Sequence, residues 1–120
     1  MSHLTNKELS LYYLESYAKK DLKSVAQLFA DDIILRDWKI RVVGKEQALF
    51  ETEKNFKAAQ SLTIDVLSTY ENNNSIAAEL KIVVNETEEL FVVDILTFND
   101  EGKITSIRAF LGRGDAELET

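Results

Sequence analysis

The chain has 120 residues, 45% of them hydrophobic and 29% charged, which is the composition of one globular domain and not of a disordered segment. Cysteine is absent and the one histidine is His3, which excludes disulfides, thiolate metal sites, a cysteine nucleophile and a His-rich metal centre. Fourteen Lys and Arg stand against 21 Asp and Glu, a net charge of −7, so neither nucleic acid nor a membrane surface is an expected partner; both need a dense basic patch.

No apolar run approaches the roughly 20 residues that cross a bilayer, and none resembles a signal peptide, so the expected location is cytoplasmic. There is no G-x-G-x-x-G and no P-loop. Gly112-Arg113-Gly114 reads as a chain exit, and no cofactor or metal is expected.

Thr5 to Glu8 matches a capping box and starts a helix running to about Lys19. Leu9, Tyr13 and Tyr17 lie four apart on its inner face, and Leu11, Leu14 and Ala18 widen the stripe. Asp21 caps a short second helix with Leu22, Val25, Ala26 and Phe29 inward, and the acids Asp31-Asp32 end it. Ile33 to Trp38 is β-rich, and Gly44 breaks the chain. Lys45 to Ala59 reads as a third helix with Leu49, Phe56 and Ala59 inward and Glu53–Lys57 as an exposed ion pair.

From Ser61 the hydrophobic period changes to two. Leu62, Ile64 and Val66 share a face, as do Ile76, Ala78, Leu80, Ile82 and Val84. Leu90 to Phe98 and Ile104 to Leu111 follow, joined by the hairpin turn Asn99-Asp100-Glu101-Gly102. Four strands on short polar turns predict an antiparallel meander. The fold class is α+β: a strongly curved antiparallel sheet wrapped on three N-terminal helices as a cone around an apolar pocket. One domain spans 1–114, and 115–120 is an acidic tail.

Two acids break the pattern. Asp37 shares a face with Ile33 and Leu35, and Asp94 with Leu90, Val92, Leu96 and Phe98. A carboxylate among apolar neighbours must be paired, hydrogen-bonded or protonated, and such groups cluster at functional sites. Asp94 either forms a salt bridge to Arg108, if paired residue numbers sum to 202, or faces Ile107, if they sum to 201. The second register buries Ile107, Ala109 and Leu111 in place of an arginine and is preferred, with a bulge at Gly102. Asp37 is either a site residue or a strand-end acid that hydrogen-bonds the 39–43 loop.

Phe29-Ala30-Asp31-Asp32, Gly44-Lys45-Glu46-Gln47 and Val93 to Ile104 carry a resemblance that covers the chain from about Ser10 to Leu111. The chain is similar to the nuclear transport factor 2-like superfamily, in its SnoaL-like and ketosteroid isomerase-like branches. The resemblance implies that Tyr13 and a protonated Asp94 donate hydrogen bonds to a substrate oxyanion and that Asp37 shuttles the proton. Tyr17, Trp38, Phe56, Leu80, Ile82, Val92 and Leu111 would line the substrate pocket. The chain departs from the isomerases at Trp38, where they have proline, in a loop about two residues shorter, and at Phe29 and Thr52, where the bacterial enzymes carry further tyrosines. The reading is thus a small apolar-molecule pocket protein, an isomerase- or cyclase-like enzyme acting next to a carbonyl. The alternatives are a ligand-binding protein without chemistry and a dimeric interaction module. A homodimer through the outer sheet face is expected, because Phe91, Val93 and Ile95 are left outside.

Overall fold

The computed structural model describes residues 4–116; His3 and most of the acidic tail lie outside them. Helix α1 spans Asn6–Ala18, α2 Leu22–Leu28 and α3 Lys45–Ala58. Strands are β1 Phe29–Arg36, β2 Arg41–Val43, β3 Leu62–Glu71, β4 Ser75–Val84, β5 Glu88–Phe98 and β6 Ile104–Leu111. They form one six-stranded sheet in the order β2-β1-β6-β5-β4-β3, with the helices against one face.

The capping box is formed: the Thr5 hydroxyl accepts from the Glu8 amide at 3.0 Å, and the Glu8 carboxylate accepts from the Thr5 amide at 2.9 Å. The Asp21 carboxylate accepts from the Ser24 amide at 3.1 Å and caps α2. Gly44, at φ 98°, lies at the N-cap of α3 in a backbone region that disfavours residues with a Cβ. Along α1 the buried residues are Ser10, Tyr13, Leu14 and Ser16, whereas Leu11 is exposed, so the stripe is narrower than its pattern suggested.

Three local expectations are corrected. Helix α2 stops at Leu28, not at the acids, because Phe29 already pairs with Ile104 of β6 and is buried. Asp31 and Asp32 instead lie exposed in β1, where its pairing slips between Phe29 and Ile34. The sheet is mixed: β3 to β6 form the antiparallel meander, but β1 runs parallel to β6, with Leu35 beside Ile107. Strand β2 was not anticipated; three residues are too short to show a period. It folds back on β1, pairing Val42 with Leu35, and makes residues 37–40 a hairpin loop.

The inner face of the meander buries Ile76, Ala78, Leu80, Val92, Leu96, Phe98, Ile104 and Ile107 against Tyr13, Leu14, Val25, Leu28 and Phe56. Val66 pairs with Leu80 on this face but is 38% exposed, and the β3–β4 pairing shifts just beyond it, before Ser68. Between β5 and β6 the paired numbers sum to 203 from Val92 to Thr97, as in Asp94 with Ala109, so neither expected sum holds at Asp94; beyond the shift, Phe98 with Ile104 sums to 202. The parity is the preferred one, and Arg108 pairs with Ile95, away from Asp94. The irregularity sits beside Thr97 and Phe98, not at Gly102. Gly102, at φ 76°, closes the hairpin turn, and the Asn99 side chain accepts the Glu101 and Lys103 amides.

Candidate functional site

Helix periodicity places Tyr13 and Tyr17 one turn apart, with ring centroids 5.9 Å from each other. Phe29 packs 6.1 Å from Tyr13, and Phe56 stands edge-on to Tyr17 at 4.9 Å, so both phenol rings are held from behind. On the sheet, Asp94 is flanked across the ladder by Ala78 and Ala109. Ala78 is fully buried in the core, and the small side chain of Ala109 leaves space beside Asp94 where a larger residue would fill it.

That space is a cavity of about 260 Å³. Tyr13, Tyr17, Asp37 and Asp94 all line it, with walls from Leu14, Leu62, Ile64, Leu80, Ile82, Leu90, Val92 and Ile107. Trp38 lines it too while remaining 43% exposed, which puts its indole at the opening beside Lys39 and Ile40. Two expected pocket residues are not wall residues. Phe56 is buried behind the Tyr17 ring, and Leu111 lies 47% exposed at the end of β6.

Asp37 begins the β1–β2 hairpin loop. Its Oδ1 accepts the Lys39 amide at 2.7 Å and the Ile40 amide at 2.9 Å, and its own amide donates to the Ile40 carbonyl at 3.0 Å. Aspartate suits this place because its short carboxylate can satisfy turn amides. The expected loop-bonding acid and the expected cavity acid are therefore one residue, with Oδ2 outside the turn.

Among the described residues, Asp94 has no ion pair and no side-chain hydrogen bond, so it is not the salt-bridge partner of Arg108. It is half-buried and lines the cavity. Its carboxyl is pushed up to about 7, first by burial and then by the negative charge of Asp37. Burial also raises the Tyr13 phenol well above its usual range, with smaller contributions from Tyr17 and Asp94. The Tyr17 phenol is raised by burial and by Asp94 and Asp37, against the opposing hydrogen bond from Asn55.

Two polar wall residues lie on α3: Thr52, named above at a position where the isomerases carry a tyrosine, and Asn55, which sequence reasoning missed. Thr52 donates its hydroxyl proton to the Ala48 carbonyl at 2.8 Å. Asn55 Nδ2 donates to the Tyr17 hydroxyl at 3.1 Å. The spacing Ala48, Thr52, Phe56 held the signal, since Asn55 adjoins that stripe. Chemically, a neutral carboxyl and a phenol beside an anchored carboxylate can donate to an oxyanion and accept a proton.

The family model for the SnoaL-like domain matches residues 11–107. The chain belongs to the SnoaL-like domain family. It is 26% identical over 106 residues to a Steroid Delta-isomerase of Nocardioides simplex, covering 86% of each chain. In fold it is similar to a SnoaL-like protein of unknown function from Burkholderia thailandensis, with a TM-score of 0.81 at 14% identity, covering 94% of this chain and 99% of that one. It is also similar to SalBIII, an epoxide hydrolase/cyclase-like enzyme in pyran ring formation in salinomycin, with a TM-score of 0.78 at 22% identity, covering 89% and 90%. The curved sheet on three helices is thus the cone of the nuclear transport factor 2-like fold. No helix of the described residues is long and apolar enough to cross a membrane.

Proposed function

We propose that the chain catalyses proton transfer next to a carbonyl of a small apolar substrate, without a cofactor. The observation that carries this reading is the presence of Tyr13, Asp37 and an unpaired, proton-retaining Asp94 on the wall of one cavity. Asp37 removes the proton α to the carbonyl and returns it elsewhere on the substrate. Tyr13 and protonated Asp94 donate to the oxygen, where charge develops in the transition state. The relative named for steroid Δ-isomerisation supports the reaction type. The cavity favours a smaller substrate than a steroid, because 260 Å³ lies below the roughly 300–1,000 Å³ of ordinary ligand pockets.

Cyclohex-3-enone is a suitable probe, since its conversion to the conjugated 2-enone is followed by ultraviolet absorbance. Wild type is expected to accelerate the conversion, with the rate falling as pH rises through about 7 and Asp94 loses its proton. No acceleration, and no α-deuterium exchange on the bound ketone, overturns the reading. A second reading, ligand binding without chemistry, is favoured by the commitment of Asp37 Oδ1 to its own hairpin. Binding of the probe without exchange would select it.

We further propose that a second copy covers the outer sheet face. Val83, Val93 and Ile95 are half-buried there, and Phe110 is 44% exposed with the Arg36 guanidinium 5.0 Å from its ring centre. Residues 112–114 lie over part of this face, at Phe91. The Gly112 amide donates to the Phe91 carbonyl at 2.7 Å, and a Cβ at Gly114 would come within 2.7 Å of the Phe91 ring. A two-fold contact would bury the same remaining patch on both copies. Sedimentation at micromolar concentration should give a dimer for wild type and a monomer for Val93→Lys with Ile95→Glu. A monomeric wild type, or a dimeric variant, removes the proposal.

A further inference from the structure

The Tyr17–Asn55 pair is a second polar station in the cavity, beside that of Tyr13, Asp37 and Asp94. Tyr17 accepts the Asn55 Nδ2–H at 3.1 Å, so the hydrogen bond uses a lone pair of its oxygen and leaves its O–H proton uncommitted. Among the described residues that proton has no acceptor, and Asn55 Oδ1 has no donor. Both residues line the cavity, and the Tyr17 ring is fixed between Tyr13 and Phe56. Accepting one hydrogen bond strengthens the phenol as a donor of another. Thr52 offers no such donor, having given its proton to Ala48.

We propose that Tyr17 and Asn55 bind a second oxygen of the substrate, distinct from the one held by Tyr13 and Asp94. The inference rests on the cavity chemistry proposed above and names its substrate class: a small ring compound with two oxygen functions, a ketone at one station and a hydroxyl at the other. A hydroxyl matches the pair, because it accepts from the Tyr17 O–H and donates to Asn55 Oδ1. Asn55 is exposed and keeps water, so a ligand with one oxygen leaves only the half-buried Tyr17 O–H without a partner and forms fewer hydrogen bonds than one with two.

Phenol and resorcinol test this directly, as they share a ring and differ by one hydroxyl; binding is read by protein chemical shifts. Wild type is expected to bind resorcinol about fivefold or more tighter than phenol, the worth of one or two net hydrogen bonds. Tyr17→Phe keeps the ring packing and should erase the preference by weakening resorcinol binding without weakening phenol binding. Asn55→Leu should reduce the preference in the same direction. Equal affinities in wild type, or a Tyr17→Phe variant that still prefers resorcinol, overturns the second station. Equal loss of both ligands in Tyr17→Phe does so too, since it marks a packing role. Tyr13→Phe separates the two proposals. If it weakens phenol binding while wild type shows no resorcinol preference, the cavity reading stands and only this inference fails. If no phenol binding is detected at all, both fall.

Discussion

Asp37→Asn is expected to lower the conversion of cyclohex-3-enone by about 10²–10⁴-fold, the usual contribution of a positioned general base. Binding of the ketone should change little. The reason lies in how the side chain is held. Oδ1 accepts the Lys39 and Ile40 amides, and an asparagine oxygen can accept both in its place. The hairpin then survives, and what is lost is the acceptor for the substrate proton. Asp37→Ala removes both the base and the turn bonds, so it should lose conversion and binding together. If Asp37→Asn loses binding and conversion in parallel, the residue is structural and the base lies elsewhere.

The second large effect is on stability. An unfolded chain gives up the Asp94 proton near the ordinary value of 3.8, whereas the folded protein holds it to about 7. Between those values the folded state binds a proton that the unfolded state has lost, so this carboxyl contributes stability that declines as pH rises from about 4 to 7 and is flat above. At the dry limit the total is roughly 4 kcal/mol, and water in the cavity reduces it. Asp94→Asn keeps the shape and cannot ionise. Its unfolding free energy should match wild type near pH 4 and exceed it by a few kcal/mol at pH 8. Urea unfolding of both proteins across pH 4–8 measures this difference. A variant less stable by about 3–5 kcal/mol at pH 8 would mean that the acid is ionised and paired.

The protein's layout was legible in its residues because local rules acted alone there. A capping box, an Asp N-cap and a four-residue tyrosine spacing define α1 and the start of α2. The period-two runs and the Asn99–Gly102 turn define the meander. Asp37 and Asp94 stood out for the same reason: each interrupts an apolar face, and that needs no tertiary knowledge to see. The family resemblance supplied Tyr13, whose spacing alone cannot be told from that of an ordinary core tyrosine.

Other features depended on contacts between distant parts of the chain. Helix α2 gives way to β1 at Phe29 because Ile104, 75 positions later, is there to pair with it. The parallel pairing of β1 with β6 and the number sum of 203 are set by how the sheet twists and slips as a whole. Whether Asp94 met Arg108 or a void turned on that register, which sets the small Ala109 of the cavity wall opposite it. Phe56 and Leu111 differ from the walls only by what stands in front of them or fails to cover them. Asn55 reaches Tyr17 across 38 positions, through helices brought together only by packing. Sequence periodicity determines which face a residue takes, because the backbone repeat is local; what occupies the space before that face is decided only when the layers close.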